Sequence, residues 1–284
     1  MPELPEVEVL VRHLRPLLRG KTIEDVDVRR VRVLTTTSPR KLRKVLRGAR
    51  FETLTRRGKY LCFQLQPASG ASAVCLVGHL GMTGRMYLLP RQAPLPKHAA
   101  VVLDLGKERF VFEDTRYFGR LTLDSSPLKE LGPEPLGPKF TPEALAAGLK
   151  RSSQSIKVKL LDQSLVAGVG NIYASEALFR AQISPFQPAS GLRAKQIQRL
   201  HEAIRDVLSE AIERGSTVPL SFSGNGSRDG LFYYGRAPEA QDSYEERLRV
   251  YDRDGQPCIV CHRPLRRAVQ AARSTFYCAK CQRV

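Results

Sequence analysis

Gly132-Pro133-Glu134-Pro135-Leu136-Gly137-Pro138 is the stretch at which this 284-residue chain changes character. Five of its seven residues are glycine or proline, so neither a helix nor a strand runs through it, and it reads as an interdomain linker. Upstream, from about Thr22 to Leu123, apolar residues come in short runs. Asp25–Val28 and Val31–Val33 alternate, and Tyr60–Leu65, Ala73–Val77, Ala99–Leu105 and Arg109–Phe112 read as further strands. Short strands at this spacing predict a two-layer β-sandwich. Three polar loops interrupt them: Arg56–Lys59, His79–Arg85 and Asp114–Arg120. Downstream the period turns helical. Thr141 caps a helix to about Leu149, and Ile156–Leu161 and Ile172–Ala181 follow. Ala194–Arg214 is long, with Leu200, Ala203, Ile204, Val207, Leu208 and Ala211 on its buried side. Val218–Glu246 has no period and is rich in Gly and Ser, which predicts a long loop.

Further out lie two terminal elements. Val7, Leu10, Val11, Leu14, Leu17 and Leu18 recur at helical spacing with Gly20 as the stop, and Pro16 predicts that the helix ends or tightens there. At the other end, Cys258-x2-Cys261, sixteen residues, then Cys278-x2-Cys281 has the spacing of a four-thiolate zinc ribbon. Four thiolates leave no open position, so the single Zn2+ would be structural. Arg263, Arg266, Arg267 and Arg273 lie between the pairs and suit a nucleic-acid groove. Cys62 and Cys75 fall in apolar stretches and read as buried spectators. Lys and Arg number 46 against 28 acidic residues, a formal charge of +18. That balance points to a polyanion, nucleic acid ahead of an anionic membrane surface. No apolar run approaches the ~18 residues of a spanning helix. The acidic start is unlike a secretory signal, so the cytoplasm is the expected compartment.

Chemistry is suggested first by Met1-Pro2-Glu3-Leu4-Pro5-Glu6-Val7-Glu8. Once Met1 is removed, Pro2 carries an exposed secondary amine that titrates near ~8, part of it a neutral nucleophile able to form an iminium. Glu3 and Glu6 stand ready to move protons or steady the intermediate. The plainer reading is a helix start with proline and acidic residues in the first turn. Val166–Ile172, with Gly168 and Gly170, suggests amides at a helix start that bind phosphate, with Asn171 and Lys157 assisting; a tight helix–helix turn explains it equally well. Met82, Arg116 and Phe118 on two loops suit side chains that fill the gap left by an extruded base, or simply core packing. Lys59 follows Arg56-Arg57-Gly58 and in isolation reads as one more residue of a solvated basic loop.

Together these segments resemble the formamidopyrimidine-DNA glycosylase family, bifunctional base-excision repair enzymes. The likeness is carried by residues 1–8, Gly58–Leu61, His79–Gly84, Gly132–Leu136, Ile156–Asp162, Gly168–Glu176 and Thr275–Cys278. Leu4, with Met82, Arg116 and Phe118, resembles the purine-lesion branch rather than the endonuclease VIII branch. The resemblance implies an α+β multidomain fold. A β-sandwich with a leading helix (2–131) and a linker (132–140) precede a helix-two-turn-helix domain (141–247) with a lesion loop (217–246), then a zinc finger (248–284). It implies that Pro2 attacks C1′ of an oxidised purine nucleotide such as 8-oxoguanine or a formamidopyrimidine in duplex DNA. Glu3 would be the principal acid/base, Glu6 would steady the intermediate, and Lys59 would assist β-elimination and Arg273 δ-elimination. His79, His98, Arg116, Lys157, Asn171 and Tyr251 would hold the DNA backbone, with Met82, Arg116 and Phe118 filling the void. A monomer near the nucleoid is expected. The chain departs from the family pattern at Thr115, Tyr117, Ala100 and Ser152, with Arg151 substituting at the last, and in the segment from Pro219 to Glu246, which carries Phe222, Phe232, Tyr233 and Tyr234. An aromatic residue at 117 replaces a basic contact. Two rivals follow: the same chemistry directed at oxidised pyrimidines or at single-stranded or abasic lesions, and a zinc protein that binds damage without catalysis.

Overall fold

The structure, a computed structural model, describes residues 2–215 and 248–283. The loop predicted over Val218–Glu246 lies outside the described residues. Two compact units are formed: one from Pro2 and residues 6–129, the other from residues 3–5, 130–215 and 248–283.

Helix α1 spans Leu4–Leu18. Val7, Leu10, Val11, Leu14 and Leu18 are buried in the core of the first unit. Of the two outcomes expected at Pro16, an end to the helix is excluded: α1 runs two residues past it. It removes one amide donor a turn from the end, and burying Leu18, worth about 1.5–3 kcal/mol, holds the last turn. Leu17, expected on the apolar side, is 40% exposed.

The unit continues through β1 (Asp25–Val28), α2 (Pro39–Leu46), β2 (Arg50–Arg57), β3 (Tyr60–Gln66), β4 (Val74–His79), β5 (Gly84–Pro90), β6 (Ala99–Asp104), β7 (Glu108–Asp114), β8 (Arg120–Thr122) and α3 (Ser126–Lys129). The strands make two antiparallel sheets, ordered β1-β6-β7-β5 and β2-β3-β4-β8. Both sheets feed one core. Phe63 of β3 meets Phe110 of β7 with ring centroids 5.5 Å apart. Val31–Val33, expected as a strand, is a single 3-10 turn. Val33 is buried and Val31 is 58% exposed, and the amides of Arg29 and Arg30 both donate to the Ala100 carbonyl, which turns the chain off the sheet. Cys62 is buried; Cys75, expected to be buried, is half-buried.

The second unit holds α4 (Pro142–Leu149), α5 (Ile156–Leu160), α6 (Asn171–Arg180) and α7 (Ala194–Glu213), then β9 (Arg266–Gln270) and β10 (Arg273–Tyr277). Thr141 Oγ1 accepts the Ala144 amide at 3.2 Å and caps α4. All six expected apolar positions of α7 are buried, as is Ile212. The breaker-rich Gly132–Pro138 segment is tied into this unit. Gly132 N donates to Gln163 O, and the carbonyls of Pro133 and Pro135 accept from Ala167 N and Arg205 Nη1. A small core of Val250, Cys258, Leu265, Phe276 and Cys278 packs with Phe179 beneath the β9–β10 hairpin. Among the described residues no helix is long and apolar enough to cross a membrane.

Candidate active site and nucleic-acid interface

The start of α6 in the second unit is built around Glu3. Gly170 N and Tyr173 N donate to Glu3 Oε2 at 2.8 and 3.3 Å, and Ile172 N donates to Oε1 at 2.9 Å. These are the unpaired amides of a helix start, where the peptide dipoles favour a carboxylate. Phosphate binding was one of the two readings of this turn; the structure gives the amides to Glu3. Glycine is required at 170 because a Cβ there would lie 2.3 Å from Glu3 Cδ. Gly168 has φ +87°, and its carbonyl accepts the Leu4 amide at 3.1 Å, fixing the residue after Glu3.

Beside this seat the second unit gathers four more of the expected residues. Lys157 is fully buried; its ammonium donates to Asn171 Oδ1 and, at 3.1 Å, to the Ser274 carbonyl. Asn171 Nδ2 donates to the same carbonyl at 3.0 Å. Burial first, then the Arg273 guanidinium, lowers the Lys157 pKa to about 8, with Glu3 pulling the other way. Arg273 is exposed at the start of β10, just past Ala271 and Ala272, whose φ values of +46° and +58° are both left-handed. The Tyr251 ring packs edge-on against Phe276 at 5.0 Å. Burial raises its phenol pKa, against a hydrogen bond to Asn171 that lowers it. The backbone of this segment is held by Glu176 of α6, whose buried carboxylate accepts the amides of Arg249, Val250 and Tyr251, each at 2.9 Å. Glu176 was not singled out from the sequence. Its partners lie more than seventy residues away, so no local spacing marks it.

In the first unit Lys59 is buried in the turn between β2 and β3, and its charge bears on His79 at the end of β4. Burial, then Lys59 and Arg120, pushes the His79 pKa down to about 4. Its Nδ1 accepts the Gly81 amide at 3.0 Å, so the neutral ring carries its proton on Nε2. Met82 and Phe118 are each 41% exposed, and the Arg116 guanidinium lies 4.8 Å from the Phe118 ring centroid. Their two loops share one anchor. Asp114 is wholly buried, and its carboxylate accepts Thr83 Oγ1 at 2.5 Å, the Arg116 amide at 3.1 Å and the Gly119 amide at 2.7 Å. The sequence marks Asp114 only as the first residue of a polar loop, not as an anchor. His98 lies beside Tyr117, with Nδ1 3.3 Å from its hydroxyl. Pro2 is buried where exposure was expected, and Glu6 is buried as well. Arg151 is exposed on the turn after α4.

The four cysteines converge, their sulfurs all within 4.8 Å of one another. Cys258 Sγ and Cys281 Sγ are 3.9 Å apart, Cys261 Sγ and Cys278 Sγ 3.5 Å. Thiolates around one zinc at ~2.3 Å sit roughly 3.8 Å apart, so the set fits one structural Zn2+. The Val260 amide points at Cys258 Sγ at 3.5 Å, which stabilises a thiolate.

Comparison with known proteins agrees along the chain. Residues 1–121 match the formamidopyrimidine-DNA glycosylase N-terminal domain, 131–221 its H2TH domain, and 255–284 the zinc finger found in FPG and IleRS. The formamidopyrimidine-DNA glycosylase of Symbiobacterium thermophilum is 43% identical, covering 100% of this chain and 90% of its own. That of Carboxydothermus hydrogenoformans is 40% identical, with 100% of both chains covered. Among solved structures, the MutM (FPG) protein of Thermus thermophilus superimposes with a TM-score of 0.81 at 41% identity, covering 99% of this chain and 98% of the other. A Lactococcus lactis FPG in complex with a Fapy-dG-containing DNA gives 0.86 at 31% identity over 100% of each. The chain belongs to the formamidopyrimidine-DNA glycosylase family.

Proposed function

We propose that the protein is a DNA glycosylase and AP lyase that removes oxidised purines, 8-oxoguanine and formamidopyrimidines, from duplex DNA. The observation that carries the reading is the seat of Glu3: a buried carboxylate, held through both oxygens, one residue after the candidate nucleophile. With Met1 removed, the Pro2 nitrogen is a secondary amine. It attacks C1′, the glycosidic bond breaks, and the base leaves with the bonding pair and takes up a proton. Opening of the sugar ring, with a proton delivered to O4′ by Glu3, leaves an iminium that Glu6 steadies electrostatically. Loss of a C2′ proton expels the 3′ phosphate, assisted by Lys59. A second elimination expels the 5′ phosphate, assisted by Arg273, and water releases the sugar fragment from Pro2.

His79, His98, Arg116, Arg151, Lys157, Asn171 and Tyr251 hold the DNA backbone, and Met82, Arg116 and Phe118 fill the space vacated by the extruded nucleotide. Their exposure on anchored loops supports this reading for Met82 and Phe118. The zinc, when bound, supplies rigidity to the hairpin that carries Arg273 rather than chemistry. Residues 2–131 would form the catalytic domain, 141–247 the helical DNA-binding domain and 248–284 the finger. A reducing cytoplasm suits six free cysteines. The test is a panel of duplexes, each with a single 8-oxoguanine, formamidopyrimidine or oxidised pyrimidine, assayed for base release and for strand nicking. Release of the two purine lesions with nicking is expected. Binding without release, or release of pyrimidines alone, would sink the proposal.

A further inference from the structure

We propose that Arg30 is a DNA-phosphate contact, carried on the hydroxyl of Tyr117 and completed by His98 as a three-residue anion clamp in the first unit. The inference rests on the reading of a DNA-acting enzyme given above.

Two contacts meet at one phenol oxygen, and a third lies on the same ring. Arg30 Nε donates to Tyr117 Oη at 3.1 Å, and its guanidinium carbon lies 5.8 Å from the Tyr117 ring centroid. His98 Nδ1 lies 3.3 Å from the same oxygen. The Tyr117 oxygen can accept the Arg30 N–H and still give its own hydrogen to His98 Nδ1; in that tautomer the ring proton is on Nε2, a donor. Arg30 Nη1 is spent on the Arg29 carbonyl at 3.2 Å, which fixes the plane of the guanidinium. Among the described residues no carboxylate forms an ion pair with Arg30, although nearby Arg29 reaches Asp27. The outcome is an exposed guanidinium held in one orientation by neutral partners, its charge uncancelled. Such an arrangement pre-pays the side-chain entropy of an Arg–phosphate contact.

The backbone supports the same conclusion. Tyr117 adopts φ +53°, a left-handed conformation that a tyrosine seldom takes, and Asp114 imposes it by holding the amides on either side, Arg116 and Gly119. The strained turn directs the phenol toward Arg30 and His98. A phosphate oxygen at this site would receive the remaining Arg30 N–H groups and His98 Nε2–H. The aromatic residue at 117 thus keeps the site cationic by recruiting an arginine from the turn after β1.

The test is equilibrium binding of the full-length, zinc-loaded protein to a duplex bearing a tetrahydrofuran abasic analogue, across a series of salt concentrations. Melting curves verify that each variant is folded. Arg30→Ala should weaken binding roughly tenfold at low salt, equally for damaged and undamaged duplex, and reduce the slope of log K against log salt by about one. Arg30→Lys should restore the slope but not the full affinity, because an ammonium cannot use the Tyr117 hydroxyl and the phosphate together. Tyr117→Phe should weaken binding less than Arg30→Ala and leave the slope nearly whole. An unchanged slope in Arg30→Ala, with wild-type binding and nicking intact, overturns the clamp alone. Failure of the unaltered protein to bind any duplex overturns both the clamp and the DNA-directed reading.

Discussion

Glu3 shows how a residue's role depends on partners remote in sequence. Its carboxylate and the α6 amides are about 170 positions apart, so the octapeptide points to an acid but not to what holds it. For the same reason the glycine turn read as a phosphate cradle: local spacing reports free amides, not their occupant. Gly170→Ala should drive Glu3 from its seat and slow single-turnover excision of 8-oxoguanine by roughly 10²-fold while zinc content stays at one per chain. Wild-type excision rates would remove Glu3 from the mechanism. Lys157 allows a pH test. Its folded pKa of about 8 is below the usual 10.5, so its buried charge opposes folding fully below pH 8. Between those values the unfolded chain holds the proton and the folded one does not, so stability rises with pH. Between about pH 7 and about pH 9 the gain is roughly 1 kcal/mol, and Lys157→Met should abolish that part in denaturant titrations.

At the scale of elements, what the sequence showed depended on how cleanly each period survived. The helices α4 and α7 were legible because caps and apolar stripes are local. Strand β2 was not, because a bulge between Phe51 and Thr53 shifts its register and breaks the alternation. Helix α2 was hidden in a stretch read as β because only Leu42 and Leu46 are buried. The β9–β10 turn lacks the usual Asn-Gly signal, since Ala271 and Ala272 take left-handed conformations at about 1 kcal/mol each. Ala272→Gly should therefore raise the melting temperature of the ribbon without changing its zinc stoichiometry. Asp114 couples the Met82 loop to the Arg116–Phe118 loop. Asp114→Ala leaves the buried Gly119 amide without its acceptor and takes one from the part-buried Thr83 hydroxyl and Arg116 amide, and should cost about 1–3 kcal/mol in denaturant unfolding. It should also lower excision from duplex more than from single-stranded DNA, because only the duplex needs its vacated space filled.

For the molecule as a whole, a charge of +18 and two Cys-x2-Cys pairs announced a polyanion partner and a metal before any fold was known. The glutamates that hold remote backbone could not be announced, because charge and spacing say nothing of tertiary partners. Removing zinc with a chelator should collapse the β9–β10 hairpin and with it the Ser274 carbonyl that holds Lys157 and Asn171. DNA affinity and nicking should fall together as zinc is released, while the far-ultraviolet signal of the strands persists; nicking that survives full zinc loss would contradict the structural role given to the ribbon. The chemistry finally depends on one atom. Borohydride added during reaction with an 8-oxoguanine duplex, followed by peptide mapping of the trapped adduct, locates the attacking nitrogen. The reduced sugar is predicted on the amine of Pro2 in a chain lacking Met1, and Pro2→Gly should weaken or abolish the adduct. A sugar found on Lys59 or any other lysine, or full activity with Met1 in place, would contradict it.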